Sequence, residues 1–362
     1  MTTSEDERKK VERAMHYRGG CWMGGIRNEI KSLPMSELFI IGTHNSATYD
    51  ISVTSSFGSD APGLLGKKTM GGKLTQLFAR PVCAKWAKCQ SLTIREQLNN
   101  GVRYLDIRVI PKSEKNTTPY ISHSQVSVPL RDVVNEIVSF LACSENTWEC
   151  LVVDLQHLSI PEGMLMDSFL FPALEPLRDL CIPNTVSLST PLEEIWRRSK
   201  KERVFLVIGS EFDSEKYTFA FMRHGAIVSD WKNVQNCNDL LQRFDEDLAH
   251  PVTHQSGVFC VTQGVLTPEG KQIMDSLLFT KGISTKFNSI MDMARKVNAP
   301  ICKWFWKRNR HRNEDNTCGN MHRNILMLDY PQITSLTIEV DDGGSSIECS
   351  PVIMCILLNL LK

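Results

Sequence analysis

Six short apolar runs rich in branched residues recur along the chain: Leu38–Ile41, Val102–Ile110, Cys150–Leu155, Arg203–Ile208, Val258–Thr262 and Ile325–Leu328. Each has the length of a strand buried on both faces. Helical periodicity fills the intervals, most clearly at Leu130, Val133, Val134, Ile137, Val138 and Leu141, with Pro129 suited to a first helical turn. A second helix is predicted from Leu92 to Asn100, with Ser91 or Thr93 near its cap and Gly101 just beyond its end. Strands that alternate with helices pair in parallel, and this many strands in 362 residues fit one closed barrel better than two sheets. The expected fold is α/β: an irregular TIM-like (β/α) barrel forming a single domain over 21–362, after a charged, detachable N-terminal arm over 1–20.

Charge narrows the partners. The 41 basic and 41 acidic residues cancel, so bulk charge gives no reason to expect nucleic acid. The first residues, Thr2 to Arg18, carry no apolar core of the kind that directs export, which makes a cytoplasmic chain the default expectation. No apolar run reaches the ~20 residues that span a bilayer. Pro351–Leu361 reads instead as a packed terminal helix. Twelve cysteines are present. Cys143, Cys150, Cys260, Cys302 and Cys355 sit in or beside apolar runs and are expected to be reduced and buried. The pairs Cys83/Cys89 and Cys143/Cys150 lack zinc-like spacing and histidines at ligand spacing, so no metal and no other cofactor is expected.

Two irregular segments stand out. Ser52–Lys73, rich in Gly and Ser and carrying Lys67, Lys68 and Lys73, reads as a long loop over one face; Asn309–Asn320 is polar and charged. The run Lys303-Trp304-Phe305-Trp306-Lys307-Arg308-Asn309-Arg310-His311-Arg312 mixes aromatics with cations. It has two readings: a membrane-interface patch, or the end of a strand or helix followed by a solvated loop.

In (β/α) barrels the reactive groups gather at the C-terminal ends of strands, and four such ends carry polar residues that a core would not select. The first strand runs into Gly42-Thr43-His44-Asn45-Ser46, the second holds Asp106 and Arg108, Tyr120-Ile121-Ser122-His123 is a short further run, and the last ends in Leu328-Asp329-Tyr330-Pro331. Residues two apart on a strand share a face, so Asp106 and Arg108 point together, away from Leu105 and Ile107, and the lumen is where a charged pair would go. Asp106 reads either as a direct participant or as a buried partner of Arg108. Two imidazoles suit a phosphodiester, one taking a proton from the nucleophile and the other giving one to the leaving alkoxide, because histidine titrates near about 6.5. Arg108 would neutralise charge on the non-bridging oxygens, its planar fork fitting phosphate better than a lysine. Asp154, Gln156 and His157 follow an apolar run and either line a pocket or satisfy a strand end; Trp231, in a polar turn, either floors a headgroup site or packs.

The ordered set Gly42–Ser46, Gly101-Val102-Arg103-Tyr104-Leu105-Asp106-Ile107-Arg108 and a His-bearing strand resembles phosphatidylinositol-specific phospholipase C X-domain-containing proteins. So does the stretch from Arg80-Pro81-Val82-Cys83 through Trp86 to Gln97-Leu98, and the likeness covers roughly residues 20 to 362. The resemblance implies cleavage of phosphatidylinositol to diacylglycerol and an inositol phosphate at a membrane surface, through a cyclic intermediate or product. It implies His44 as general base on the inositol 2-hydroxyl, Asp329 orienting it, His123 as general acid and Arg108 as phosphate clamp. Bacterial relatives usually place Asp directly after the first histidine, where this chain has Asn45. They present an arginine to the inositol where this chain reads Gly209-Ser210-Glu211, so Gln156, Trp231 and Glu211 are the candidate headgroup residues. Arg108 stands where calcium-dependent relatives would have a carboxylate, and Gln156 stands in place of Glu; Asn45 and Asp106 are too few for an ion that takes about six to eight oxygens. The expected activity is therefore calcium-independent. The competing readings are a catalytically weak lipid-binding or scaffold barrel, and a metal-dependent phosphodiesterase for glycerophosphodiesters or sphingolipids, which would need an acidic cluster near the histidines.

Overall fold

A computed structural model describes residues 3–17, 19–61, 70–113, 115–249, 257–269, 273, 287–310, 323–340 and 345–362. Within them the chain begins with helix α1 (Thr3–His16) and strand β1 (Ile40–Thr43), continues through α2 (Met70–Ala87) and α3 (Ile94–Asn99), and then adds β2 (Tyr104–Pro111). The hairpin β3 (Pro119–His123) and β4 (Gln125–Pro129) precedes α4 (Leu130–Leu141), followed by β5 (Leu151–Leu158), α5 (Leu192–Arg198), β6 (Val204–Ile208), β7 (Phe221–Met222) and β8 (Ile227–Ser229). Next come α6 (Cys237–Ala249), β9 (Phe259–Gln263), α7 (Ile290–Arg310), β10 (Ile325–Leu328), the hairpin β11 (Leu336–Glu339) and β12 (Ser346–Cys349), and α8 (Pro351–Leu360).

Eight strands form one curled sheet in the order β7-β6-β5-β2-β1-β10-β9-β8, every pair parallel, with the β3–β4 hairpin branching antiparallel from β2. The two edges, β7 and β8, are consecutive in sequence and joined by the one-turn helix Arg223–Ala226. The barrel is thus TIM-like but open at that seam. The six strands expected from the apolar runs are β1, β2, β5, β6, β9 and β10, and the short run Tyr120–His123 is β3; the edge strands β7 and β8, β4 and the β11–β12 hairpin carry too few residues for periodicity to register.

Local chemistry explains the element ends. Thr93 caps α3 in a full capping box with Glu96, and Gly101 follows at φ 93°, a left-handed position open to glycine. Pro129 serves as N-cap of α4, whose Leu130, Val133, Val134, Ile137 and Phe140 are buried. Gly42 in β1 meets Tyr104 of β2 so closely that an added Cβ would lie 2.5 Å from its Cδ1.

The structure adds to the sequence expectations at three places. The Ser52–Lys73 loop gives way to α2 at Met70, while Lys67 and Lys68 lie outside the described residues. The aromatic run is not a membrane patch: it is the end of α7, with Trp304, Phe305 and Trp306 buried, the indole of Trp304 donating to Asp245 at 2.9 Å and that of Trp306 to the Glu339 carbonyl at 3.0 Å. Its stripe faces the core because helical spacing turns these rings toward α6 and β11; residues 311–312 lie outside the description. Nor is the N-terminal arm free of the barrel, since α1 packs against α8 with Val11 and Ala14 in the core.

Candidate active site

The polar site is assembled at the end of β1, whose four residues are wholly buried between β10 and β2. Past Thr43 the chain turns tightly. The Ser46 hydroxyl donates to the Thr43 carbonyl at 2.7 Å and accepts from the Asp106 N–H at 2.9 Å, while the Ser46 N–H donates to the Asp106 carbonyl at 2.8 Å. Asn45 takes a left-handed φ of 43°, and its N–H donates to the Asp106 carboxylate at 2.8 Å. Asp106 is therefore the brace of the His44–Asn45 turn. No bond joins it to Arg108 among the described residues, which corrects the reading of it as that residue's ion-pair partner.

The turn aims His44 at Asp329, the first residue beyond β10, with Nδ1 to Oδ1 at 2.8 Å. The Gln90 amide donates to the carbonyls of His44 and Leu328 at 3.0 and 3.1 Å, locking the two strand ends together. Asn298 of α7 donates to the Asp329 carbonyl at 2.8 Å. On the other side of the ring, His44 Nε2 lies 2.9 Å from Asn45 Nδ2. A carboxylate on Nδ1 fixes the tautomer that leaves Nε2 with a lone pair, the state a proton acceptor requires.

His123 closes β3, and its ring centroid stands 6.0 Å from that of His44, inclined at 72°. Its Nδ1 is 2.8 Å from the Ala87 carbonyl and so carries the proton, leaving Nε2 free. Burial, then the positive charge of Arg108, then His44, push its pKa down to about 4. Arg108, on β2, lines the same cavity; its Nε is buried without a partner, and no hydrogen bond or ion pair occupies its guanidinium among the described residues. A bulge explains its orientation. The β2–β5 register passes from Ile107–Leu155 directly to Arg108–His157, so Gln156 is skipped and His157 takes the place beside Arg108.

The cavity, about 390 Å³, is lined on its polar side by His44, Arg108, His123, Asp329 and Trp231. Its apolar wall comes from Cys83, Trp86 and Ala87 of α2 and from Leu266, Pro268 and Ile290. Trp231 is 44% exposed, and its ring lies 6.0 Å from that of His44 at a 30° tilt. Lys232, bonded to Asp247 at 2.6 Å, anchors the turn that presents it. Glu211 is directed elsewhere: it is exposed and faces His224 at 3.7 Å, and neither it nor Gln156 lines the cavity.

Sequence reasoning missed two residues. Arg223, at the barrel seam, places Nε 3.1 Å from both oxygens of Asp154, which also accepts from the Tyr104 hydroxyl at 2.8 Å; its Nη2 is buried and unpartnered. Burial raises the Asp154 pKa to about 6, with Arg223 opposing. The signal was an apolar run, Phe219-Ala220-Phe221-Met222, ending in a cation. Cys89, fully buried, has its sulfur 3.6 Å from both Asn45 Nδ2 and His123 Nδ1. No local spacing announced it, because its neighbours come from three other strand ends.

A parallel barrel with two histidines, an arginine and a carboxylate at the C-terminal ends of its strands defines an enzyme of the phosphodiesterase class. No family model matches the sequence. The chain is 36% identical over 351 residues to the variant-surface-glycoprotein phospholipase C of Trypanosoma cruzi, covering 94% of this chain and 91% of that one. It is 31% identical to the Trypanosoma brucei brucei protein of the same name (93% and 95% covered) and 26% identical to human PI-PLC X domain-containing protein 2 (71% and 80%). In fold it is similar to phosphatidylinositol-specific phospholipases C from Staphylococcus aureus, at TM-score 0.57, 14% identity and coverage of 94% and 98%, and from Listeria monocytogenes, at TM-score 0.52, 15% identity and 91% and 95%. The chain belongs to the phosphatidylinositol-specific phospholipase C X-domain family. It is a phospholipase C-like phosphodiesterase.

Proposed function

We propose that the chain cleaves phosphatidylinositol-type lipids to diacylglycerol and an inositol phosphate by base and acid catalysis from two histidines, without calcium. The observation that carries this reading is the meeting, in one cavity, of the Asp329-oriented His44, of His123 and of the unpartnered Arg108, with an apolar wall beside them.

Phosphate enters between the imidazoles and takes the guanidinium of Arg108, which has no competing partner among the described residues. The inositol 2-hydroxyl displaces the Asn45 amide from His44 Nε2 and loses its proton there while its oxygen attacks phosphorus. Asp329 stabilises the imidazolium that forms. The bond to the diacylglycerol oxygen breaks, and that oxygen takes a proton from His123. A cyclic inositol phosphate remains; water opens it with the roles reversed. His123 is held largely neutral at neutral pH while the site is empty. An arriving phosphodiester anion offsets the charge of Arg108 and raises the affinity of His123 for a proton, which the imidazole takes up from solvent before it serves as the acid.

Calcium independence is supported by how the nearby carboxylates are used. Asp106 accepts from Asn45, Asp329 from His44, and Asp154 faces Arg223. The apolar wall of Cys83, Trp86, Leu266 and Ile290 suits the glycerol and first acyl carbons at a membrane surface. Among the described residues no helix is long and apolar enough to cross a membrane, which fits peripheral contact. A second reading, a headgroup carrying a bulky substituent, is favoured by the exposed Trp231 in the cavity lining and by the relatives named for a surface glycoprotein.

The test is release of diacylglycerol from phosphatidylinositol vesicles in excess EDTA, comparing wild type with His44→Ala and His123→Ala. Each variant is expected to lose about 10²–10⁴-fold in rate. Vesicle binding by folded protein without turnover in the wild type would instead establish a lipid-binding barrel, and activity that EDTA abolishes would establish a metal-dependent one.

A further inference from the structure

His123 is the last residue of β3, and the turn that carries it is tight. It pairs directly with Gln125 of β4, so Ser124 alone makes the reversal. Ser124 does so at φ 62°, a left-handed conformation that a serine rarely adopts. Such a residue persists only where its surroundings over-determine it. Here the surroundings are residues 55–60, which lie along the hairpin as a further rung. Phe57 forms a β-bridge with Gln125, whose amide donates to the Ser55 carbonyl at 3.2 Å. The Val126 N–H donates to the Ser56 carbonyl at 2.8 Å, and the Gly58 N–H to the Ser124 carbonyl at 2.9 Å. Asp60 completes the clamp. One of its carboxylate oxygens accepts from the Ser122 hydroxyl at 2.7 Å and the other from the Ser124 N–H at 2.9 Å, so a single side chain grips the residues on both sides of His123. Gly58 makes room for it: a Cβ there would stand 2.4 Å from Asp60 Oδ1 and 2.6 Å from Ser122 Oγ.

We propose that Asp60 is the positioning residue of the general acid, clamping the β3–β4 turn so that the His123 ring stays on the Ala87 carbonyl and its Nε2 is left to the cavity. The clamp stands on the hydrogen bonds; only its effect on rate rests on the reading of His123 as the acid. The carboxylate acts through its charge as well. Arg108 of β2 and His44 beyond β1 both disfavour a proton on His123, whereas Asp60 favours one. The other groups near the ring add little: Cys89, its sulfur 3.6 Å from Nδ1, is held neutral by burial, and Asp329 is taken up by His44. Once substrate phosphate has brought a proton onto His123, Asp60 is the carboxylate that stabilises the imidazolium from the side of the turn. Because Asp60 is exposed, solvent screens that charge, and the hydrogen bonds dominate.

The experiment compares the full chain with Asp60→Ala, Asp60→Asn and Gly58→Ala, with thermal midpoints recorded for each. A displacement of about 1 Å can cost on the order of 10²-fold in rate, so Asp60→Ala is expected to lower kcat on phosphatidylinositol by roughly 10–100-fold with KM near wild type. Gly58→Ala keeps the charge but displaces the carboxylate and should do the same. Asp60→Asn, which keeps one acceptor oxygen, should fall between, and it carries the comparison if Asp60→Ala folds poorly. In a His123→Ala background, Asp60→Ala should cost nothing further, because residues that act as a unit are non-additive; a general structural defect would lower both backgrounds alike. The basic limb of kcat against pH should move down by a few tenths of a pH unit in Asp60→Asn, a difference that salt diminishes. The Nδ1 proton of His123, bonded to Ala87, should exchange with solvent roughly 10-fold faster in Asp60→Ala and Gly58→Ala by nuclear magnetic resonance. That readout survives if the wild type has no turnover, an outcome that would refute the two-histidine reaction and leave exchange alone to judge the clamp. Wild-type exchange in both variants, or an equal Asp60→Ala loss with and without His123, overturns the proposal.

Discussion

The catalytic reading turns on a single imbalance at His123. Burial and Arg108 keep its imidazole neutral until about pH 4, well below the usual histidine range. Its nuclear magnetic resonance titration is expected to fall near that value in the free protein, and to move up in Arg108→Gln, which deletes the second largest cause. The sign for stability follows. The unfolded chain takes up the His123 proton near pH 6.5 while the folded one resists until about 4, so His123 stabilises the fold above pH 6.5 and loses that contribution as pH falls through this window. The amount is on the order of 2–3 kcal/mol. The unfolding free energies of wild type and His123→Asn should therefore diverge by that much between pH 4 and 6.5, and parallel pH profiles would show that the ring is not desolvated. His44 and Asp329 were legible as functional because each polar residue directly follows a buried apolar strand. The mistaken pairing of Asp106 with Arg108 arose because alternation says which face a side chain takes, and leaves open which neighbour it meets there.

At the scale of elements, the site depends on how closely β1 and β2 approach. Gly42 permits that approach, since a Cβ there would stand 2.5 Å from the Tyr104 ring, and Tyr104 is itself tied to Asp154. Gly42→Ala is expected to destabilise the fold by about 1–3 kcal/mol through overpacking, and to lower turnover in the surviving folded protein by shifting His44. A denaturant midpoint equal to wild type would show that the ring moves aside freely. The β5 bulge is the second decisive feature. It replaces Gln156 with His157 beside Arg108, and no periodicity of two can anticipate an inserted residue. The α7 aromatics show the converse case: composition left a lipid patch and a helix end both open, and the stripe formed by helical spacing, which buries Trp304, Phe305 and Trp306, decided for the helix end.

Across the whole molecule, the terminal segments brace the barrel. Asn359 of α8 donates to and accepts from the backbone of Phe39 at 2.8 and 2.9 Å, just before β1, and α1 packs on α8 through its buried Val11 and Ala14. Deleting residues 1–16 is therefore expected to cost roughly 2–3 kcal/mol for the apolar area uncovered, read as a lower thermal midpoint; an unchanged midpoint would restore the picture of a detachable arm. The sequence by itself determined the (β/α) class, the principal strands and the four strand ends that bear His44, Arg108, His123 and Asp329, because burial on two faces and helical periodicity are properties of short windows. Only the tertiary structure decided that the barrel opens between β7 and β8, that Arg223 holds Asp154, that Glu211 turns away from the cavity and that Cys89 stands among the catalytic groups. These are contacts between strand ends far apart in sequence. Their partners are set by register, bulge and sheet curvature, and none of those is written in the spacing of any one segment.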